Sequence, residues 1–234
     1  MNEQNIKRYG IYGVKGDYHK NLDSKWPYYA LYLEKLEFVD NFLFKIKRNA
    51  RILDIGSGEG NLVEKYYNQG YKIEGIDLNY SSKFVKRGNI LDLPYKKDSF
   101  DVVLCLDTLQ YLNFEQQEKA LQEIKRILKI GGYIIFAIPN ATHFAARVYY
   151  LIFGKLPKTD KKTIPIGDRS MKEYLNIIER KFKIVERKGV LPTNFIISSL
   201  LITKFPSRFI WLLKIIDFFP IKDWCFLQLM LCKK

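Results

Sequence analysis

Three glycines, Gly56, Gly58 and Gly60, follow the apolar run Ile52-Leu53-Asp54-Ile55 at alternate positions, with Ser57 and Glu59 between them. The run reads as a buried strand passing straight into a turn, with a helix behind it. Residues without a Cβ let a backbone pass close to a ligand. A helix that starts just after such a turn directs its free N–H groups at that ligand. The chemistry that fits is the binding of a nucleotide-like cofactor. A dinucleotide-binding turn needs Gly-x-Gly-x-x-Gly. Counted from Gly56, its third glycine falls on Asn61, which argues against that class.

Such a turn works only if the elements around it hold it at the edge of a sheet. Arg51 to Ile55 is the first strand, and Asn61 to Gln69 a helix ended by Gly70. Lys72 to Asp77 reads as a second strand and residues 83–89 as a third, with little room for a helix before it. Asp101 to Leu106 is a fourth strand. Phe114 to Leu128 is an amphipathic helix closed by Gly131-Gly132, and Tyr133 to Ile138 a fifth strand ending at Pro139. Ser170 caps a helix to Lys181, Phe182 to Val190 is the sixth strand, and Cys225 to Cys232 the last. Ahead of them all, a long helix capped by Asp23 or Ser24, with Pro27 in its first turn, runs to Lys47. Its apolar residues Leu33, Leu36, Val39, Leu43 and Ile46 recur at helical spacing. Apolar strands alternating with helices predict an α/β fold, a parallel sheet covered on both faces. The expected organisation is one domain over 1–234: a cap helix in 1–49, a cofactor-binding core in 50–140, and insertions at 141–169 and 191–223.

The spacing of Gly56, Gly58 and Gly60 resembles the first motif of class I S-adenosylmethionine (SAM) dependent methyltransferases, those of methyltransferase type 11 in particular. Further motifs follow in the family's order. Gly75-Ile76-Asp77-Leu78 ends the second strand, Gly88-Asn89-Ile90-Leu91-Asp92-Leu93-Pro94 resembles the third motif, and Ser99-Phe100-Asp101-Val102-Val103 the fourth. The resemblance covers about residues 50–190. It implies a seven-stranded, mostly parallel sheet whose last strand runs antiparallel, SAM as cofactor and S-adenosyl-L-homocysteine as product. By the same resemblance Asp77 accepts bonds from the ribose hydroxyls, with Leu78 and Asn79 beside it. Asn89 takes the place of the usual Asp at the adenine amino group, where its side-chain oxygen can accept the same bond without the charge. Ile90 and Leu78 flank the adenine. Asp54 lies near the methionine end of the cofactor, and the backbone from Cys105 through Leu106 to Asp107 lines that end. The glycine turn, Gly56-Ser57-Gly58 with Gly60, cradles the cofactor.

Past the fifth strand, Ile138-Pro139-Asn140-Ala141-Thr142-His143 with Arg147 resembles a branch of the family that acts on small molecules or surface glycans. Many of that branch carry Asp-x-x-His-x-Arg ahead of the next helix, and Ile166-Gly167-Asp168-Arg169-Ser170 has no such histidine. The Asn-Pro-Pro-Tyr of adenine-N6 enzymes is absent after the fourth strand, where Leu106-Asp107-Thr108-Leu109 stands, and so is the Pro-Cys of cytosine-C5 enzymes. The expected acceptor is therefore a small molecule, a glycan or a lipid-linked compound, methylated at oxygen. A hydroxyl acceptor must lose its proton. The candidate bases are Asp107, His143 and Tyr111, with His19 and Tyr18 ahead of the first helix.

The net charge is +14, and it is unevenly spread. Residues 141–234 hold 18 basic and 7 acidic side chains, against 21 and 18 in residues 1–140. The C-terminal third thus faces either solvent or something anionic: phosphate, lipid headgroups or, as the alternative function, RNA. Residues 205–219 read as a lid helix, with an interfacial helix at a membrane surface as the alternative. A non-catalytic SAM-binding protein is the other rival. The sparse, odd set Cys105, Cys225 and Cys232 shows no metal spacing and fits a reducing cytoplasm. Met1 to Tyr12 has no apolar signal core, and no run reaches the ~18 apolar residues of a membrane span. The expected location is the cytoplasm, with or without peripheral contact to a membrane.

Overall fold

The computed structural model describes residues 28–154, 169–192, 206–209, 211 and 222–234. Within them, seven strands form one sheet: β1 (Arg51–Ile55), β2 (Lys72–Asp77), β3 (Val85–Arg87), β4 (Phe100–Leu106), β5 (Leu128–Pro139), β6 (Lys183–Pro192) and β7 (Cys225–Lys233). Their order is β3-β2-β1-β4-β5-β7-β6. All neighbours pair in parallel except β7, which runs antiparallel to both β5 and β6. The central strands are buried on both faces, so β1 and β4 read as near-continuous apolar runs.

Among the described residues, five helices have eight or more residues: α1 (Tyr29–Leu43), α2 (Asn61–Asn68), α3 (Phe114–Ile127), α4 (Phe144–Phe153) and α5 (Met171–Glu179). One face packs Leu53, Val103 and Phe136 of the strands against Leu121 and Ile124 of α3 and Ile177 and Ile178 of α5. The other packs Ile52, Leu104 and Ile135 against Phe38, Val39 and Leu43 of α1 and Val63 and Tyr66 of α2. Asp54 shares the strand face of Ile52, because side chains alternate along a strand. It therefore looks toward the α1 side. Reciprocal capping boxes start α3 (Asn113 with Gln116) and α5 (Ser170 with Glu173).

Several boundaries differ from the sequence expectation. The first helix ends at Leu43, not Lys47: Lys45 and Ile46 already bond back only three residues, and Phe44 is 82% exposed, so burial stops rewarding the helix there. The expected cap at Asp23 or Ser24 lies outside the described residues. The buried face of α1 also differs. It takes in Glu34 and Lys35, while Leu33 and Leu36 are only half-buried. Glu34 pairs with Lys188 of β6 at 2.6 Å, and Asp40 with Lys65 and the Tyr66 hydroxyl of α2. Helix α1 is thus pinned across the sheet by polar contacts that helical periodicity does not reveal. Strand β5 begins at Leu128 rather than Tyr133, with a register shift opposite β4. The Gly131-Gly132 pair belongs to that irregular strand and does not close α3; Gly131 has φ +77°.

Candidate functional site

Strands β2 and β3 lie on one side of β1, and β5, β7 and β6 on the far side of β4. The connections therefore diverge between β1 and β4. In open α/β sheets a crevice forms beyond the C-terminal strand ends at such a point. The glycine turn sits there. Thr108, just past β4, ties the two strand ends together: its hydroxyl is 3.1 Å from the Ile55 carbonyl and 3.0 Å from that of Leu106. A Cβ on Gly56 would collide with that hydroxyl, so this position needs glycine for contact as well as for its φ of +72°.

Gly58 differs, because a Cβ there would meet nothing within 4 Å. The middle of the turn faces open space. The Gly58 N–H donates to Asp77 Oδ2 at 2.9 Å. The other carboxylate oxygen accepts from the Asn79 and Tyr80 N–H groups at 2.8 and 3.2 Å. Asp77 thus fastens the glycine turn to the turn after β2. Helix α2 starts immediately behind, with Gly60 as its N-cap at φ 87° and no side-chain cap. Beside it Ser57 Oγ and Asn61 Nδ2 are buried with no hydrogen-bond partner. Leaving such groups unpaired costs about 1–3 kcal/mol each. An open cradle next to orphaned polar atoms and an uncapped helix start fits a polar ligand.

Along the same edge, Leu78 is 58% exposed and Ile90 half-buried. The Asn89 side-chain oxygen accepts from the Leu91 N–H at 2.9 Å, which leaves it one further lone pair. Asp54, 3% exposed, has its carboxyl pushed up to about 7, first by burial and further by the Asp77 charge, against the opposing pull of Lys35. Cys105 is buried and its thiol held well above the ordinary range, mainly by that burial, so it stays a neutral thiol. Leu106 is half-buried at the end of β4.

Of the candidate bases, Asp107 follows β4 directly, with a left-handed φ of 52°. Its carboxylate meets Lys35 Nζ of α1 at 2.5 Å. Tyr111 ends the short 3-10 turn Leu109–Tyr111. Burial and the Asp107 charge push its phenol up, so the hydroxyl stays protonated and acts as a donor. His143 caps α4, with Nδ1 accepting from the Ala146 N–H at 3.4 Å and its ring edge-on to Phe226 at 5.3 Å. Burial lowers its pKa to about 4. It is neutral at physiological pH, and the cap engages Nδ1. His19 and Tyr18 lie outside the described residues.

Three residues of this site carry no motif signal: Lys35, Thr108 and Gln110. Gln110 lies in the turn between Asp107 and Tyr111. It is 3% exposed, and neither of its amide atoms has a hydrogen-bond partner. Asn140, the Asn of the Pro-Asn run, is a brace. Its side chain donates to the Asp223 and Cys225 carbonyls at 2.9 Å and accepts from Thr142, joining the end of β5 to the start of β7.

Known proteins agree with this geometry. Residues 53–136 match the family model of the type 11 methyltransferase domain. An uncharacterised protein of Methanocaldococcus jannaschii is 33% identical over 146 residues, 54% of this chain and 61% of that one. A ubiquinone biosynthesis O-methyltransferase of Alkalilimnicola ehrlichii is 29% identical over 105 residues, 38% of this chain and 42% of the enzyme. The chain thus spans less than two thirds of either relative. A solved SAM-dependent methyltransferase of Methanosarcina mazei superposes with a TM-score of 0.58 at 18% identity, covering 83% of this chain and 96% of that one. The residues present fit SAM: the cradle at Gly58, the orphaned Ser57 and Asn61, and the acids Asp54 and Asp77 suit a polar nucleoside with a cationic amino-acid end. The cofactor that fold and family imply is SAM, with S-adenosyl-L-homocysteine as product. With its motifs in order along a 3-2-1-4-5-7-6 sheet, the chain has the fold of the class I SAM-dependent methyltransferases, and its residues 53–136 match their type 11 methyltransferase domain.

Proposed function

We propose that this chain transfers a methyl group to the oxygen of a small-molecule, glycan or lipid-linked acceptor. The observation that carries the reading is the Lys35–Asp107 pair, a carboxylate fixed at the β4 edge of the crevice by a lysine from the cap helix. When bound, SAM supplies a methyl group already activated on a sulfonium. The protein's work is then alignment and exclusion of water. Asp77, Asn79 and the glycine turn would hold the nucleoside, Leu78, Ile90 and Asn89 its base, and Asp54 the ammonium. Asp107 accepts the hydrogen bond of the acceptor hydroxyl and takes its proton as the oxygen is alkylated. Tyr111 donates to the acceptor from the same turn. His143 serves as the N-cap of α4. The kinship with an O-methyltransferase supports oxygen as the target.

The test is a turnover screen that follows S-adenosyl-L-homocysteine release with phenols, sugars and lipid-linked sugars, with amines as the comparison set. Turnover on hydroxyl acceptors that falls ~100-fold or more in Asp107→Asn supports the reading. Turnover confined to amines, or unchanged by that substitution, refutes it.

A further inference from the structure

Among the described helices, α4 is almost wholly apolar, and its C-terminal turn is exposed while Phe144, Ala145, Val148 and Tyr149 are half-buried. In Phe144–Phe153 only Ala146 is buried. Its first turn is held at the sheet, where Phe144 stacks on Trp224 at 4.7 Å and His143 meets Phe226. Its last turn is not. Tyr150, Leu151, Ile152 and Phe153 are 53%, 82%, 65% and 58% exposed. Runs of consecutive exposed apolar side chains are avoided on soluble surfaces unless they have a use.

Four consecutive helical residues point in four directions around the axis. A protein partner, or another segment of this chain, would cover one side of such a helix, as an amphipathic helix is covered in a groove. A tip that is apolar on every side is instead suited to immersion in a fluid apolar phase. The depth agrees: one turn is ~5.4 Å, and interfacial elements bury ~5–10 Å into the headgroup boundary. The charge agrees as well. From Ala141 to Lys162 the chain carries Arg147, Lys155, Lys158, Lys161 and Lys162 against one acid, Asp160. Basic residues beside an apolar tip are what an anionic bilayer surface attracts. Gly154, at φ 66°, caps the helix at this point.

We infer that the last turn of α4 inserts into the interface of an anionic membrane. This places the membrane anchor on α4 rather than on residues 205–219, most of which lie outside the described residues. The inference stands apart from methyl transfer, and its test reads lipid binding alone. The full chain is floated with vesicles of phosphatidylcholine and with vesicles carrying 30% phosphatidylglycerol (about 3:7 anionic to neutral, a composition on which polybasic attraction is strong), at low and high salt. The wild type is expected to float with the anionic vesicles at low salt and to release at high salt. Leu151→Ser with Ile152→Ser should lower the bound fraction at least ~10-fold, with SAM binding by calorimetry unchanged. In a second variant, Tyr150→Trp, indole fluorescence should shift to the blue on anionic vesicles and be quenched by brominated lipid. The inference is overturned if the wild type stays in the soluble fraction with anionic lipid, or if the double variant floats equally well. It is also overturned if the tip serves instead to join two copies, so that the wild type is a dimer that the double variant dissolves.

Discussion

Lys35 of the cap helix lies 2.5 Å from the carboxylate of Asp107, across 72 residues of sequence, with both side chains largely buried. One contact thereby joins the helix over the crevice to the strand end where the acceptor is expected. Breaking it from either side leaves a charge stranded. Lys35→Met should lower stability by about 1–3 kcal/mol and reduce turnover. Lys35→Met with Asp107→Asn should recover part of the stability and none of the turnover. Thermal melts and S-adenosyl-L-homocysteine release measured on the same three proteins check this; full recovery of turnover in the double variant would contradict it.

Asp54 gives the pH dependence. Its folded pKa, pushed up to about 7, stands above the ordinary value of 3.8. Its contribution to stability is therefore fully present below pH ~4 and is lost as pH rises through ~7. Asp54→Asn abolishes that loss, so the variant should gain in melting temperature over wild type as pH rises from 5 to about 7 and hold that gain at pH 8. On the proposed reading, the same ionisation would supply the charge for the cofactor's ammonium, so SAM affinity of the wild type should rise over that range. Melts and calorimetry at four pH values measure both slopes, and parallel stability curves for wild type and Asn variant would count against the buried, raised carboxyl.

His143 separates a cap from a base. Asn is a good N-cap and Ala a poor one. His143→Ala should therefore cost about 1 kcal/mol of stability, and His143→Asn much less, with activity following the fold. If both variants lose ~100-fold in turnover at intact stability, the histidine is the base.

Gln110 carries a buried carboxamide that the protein leaves unpaired. Gln110→Met removes the unpaired groups at similar volume and should raise stability by about 1–3 kcal/mol. If the acceptor pairs with that amide, KM for the acceptor should rise at the same time, with SAM affinity unchanged. A melt together with a KM determination decides between the two uses of this side chain.

Much of the scaffold was legible because its signals are local. The two-face-buried strands β1 and β4 are short apolar runs, and the turn at Gly56, Gly58 and Gly60 announces itself by spacing. The cap at Ser170 is likewise written within four residues, whereas the Asn113 capping box emerges only in the structure. What escaped depends on partners far away in sequence. Glu34 and Lys35 look like solvent-facing charges until Lys188, 154 residues from Glu34, and Asp107 come to meet them. Thr108 gains its role only when β1 and β4 lie side by side. Helix α4 lies within a stretch that reads only as an insertion, because a helix that is apolar nearly all round shows no amphipathic stripe. The Gly131-Gly132 pair reads as a helix stop, and only pairing with β4 reveals a bulged strand.

The account turns on the cradle at Gly58 and Asp77, and titration calorimetry of the wild-type chain tests it most directly. SAM and S-adenosyl-L-homocysteine should each bind at one site per chain, and NAD should give no heat. Binding of NAD with no binding of SAM would contradict the account.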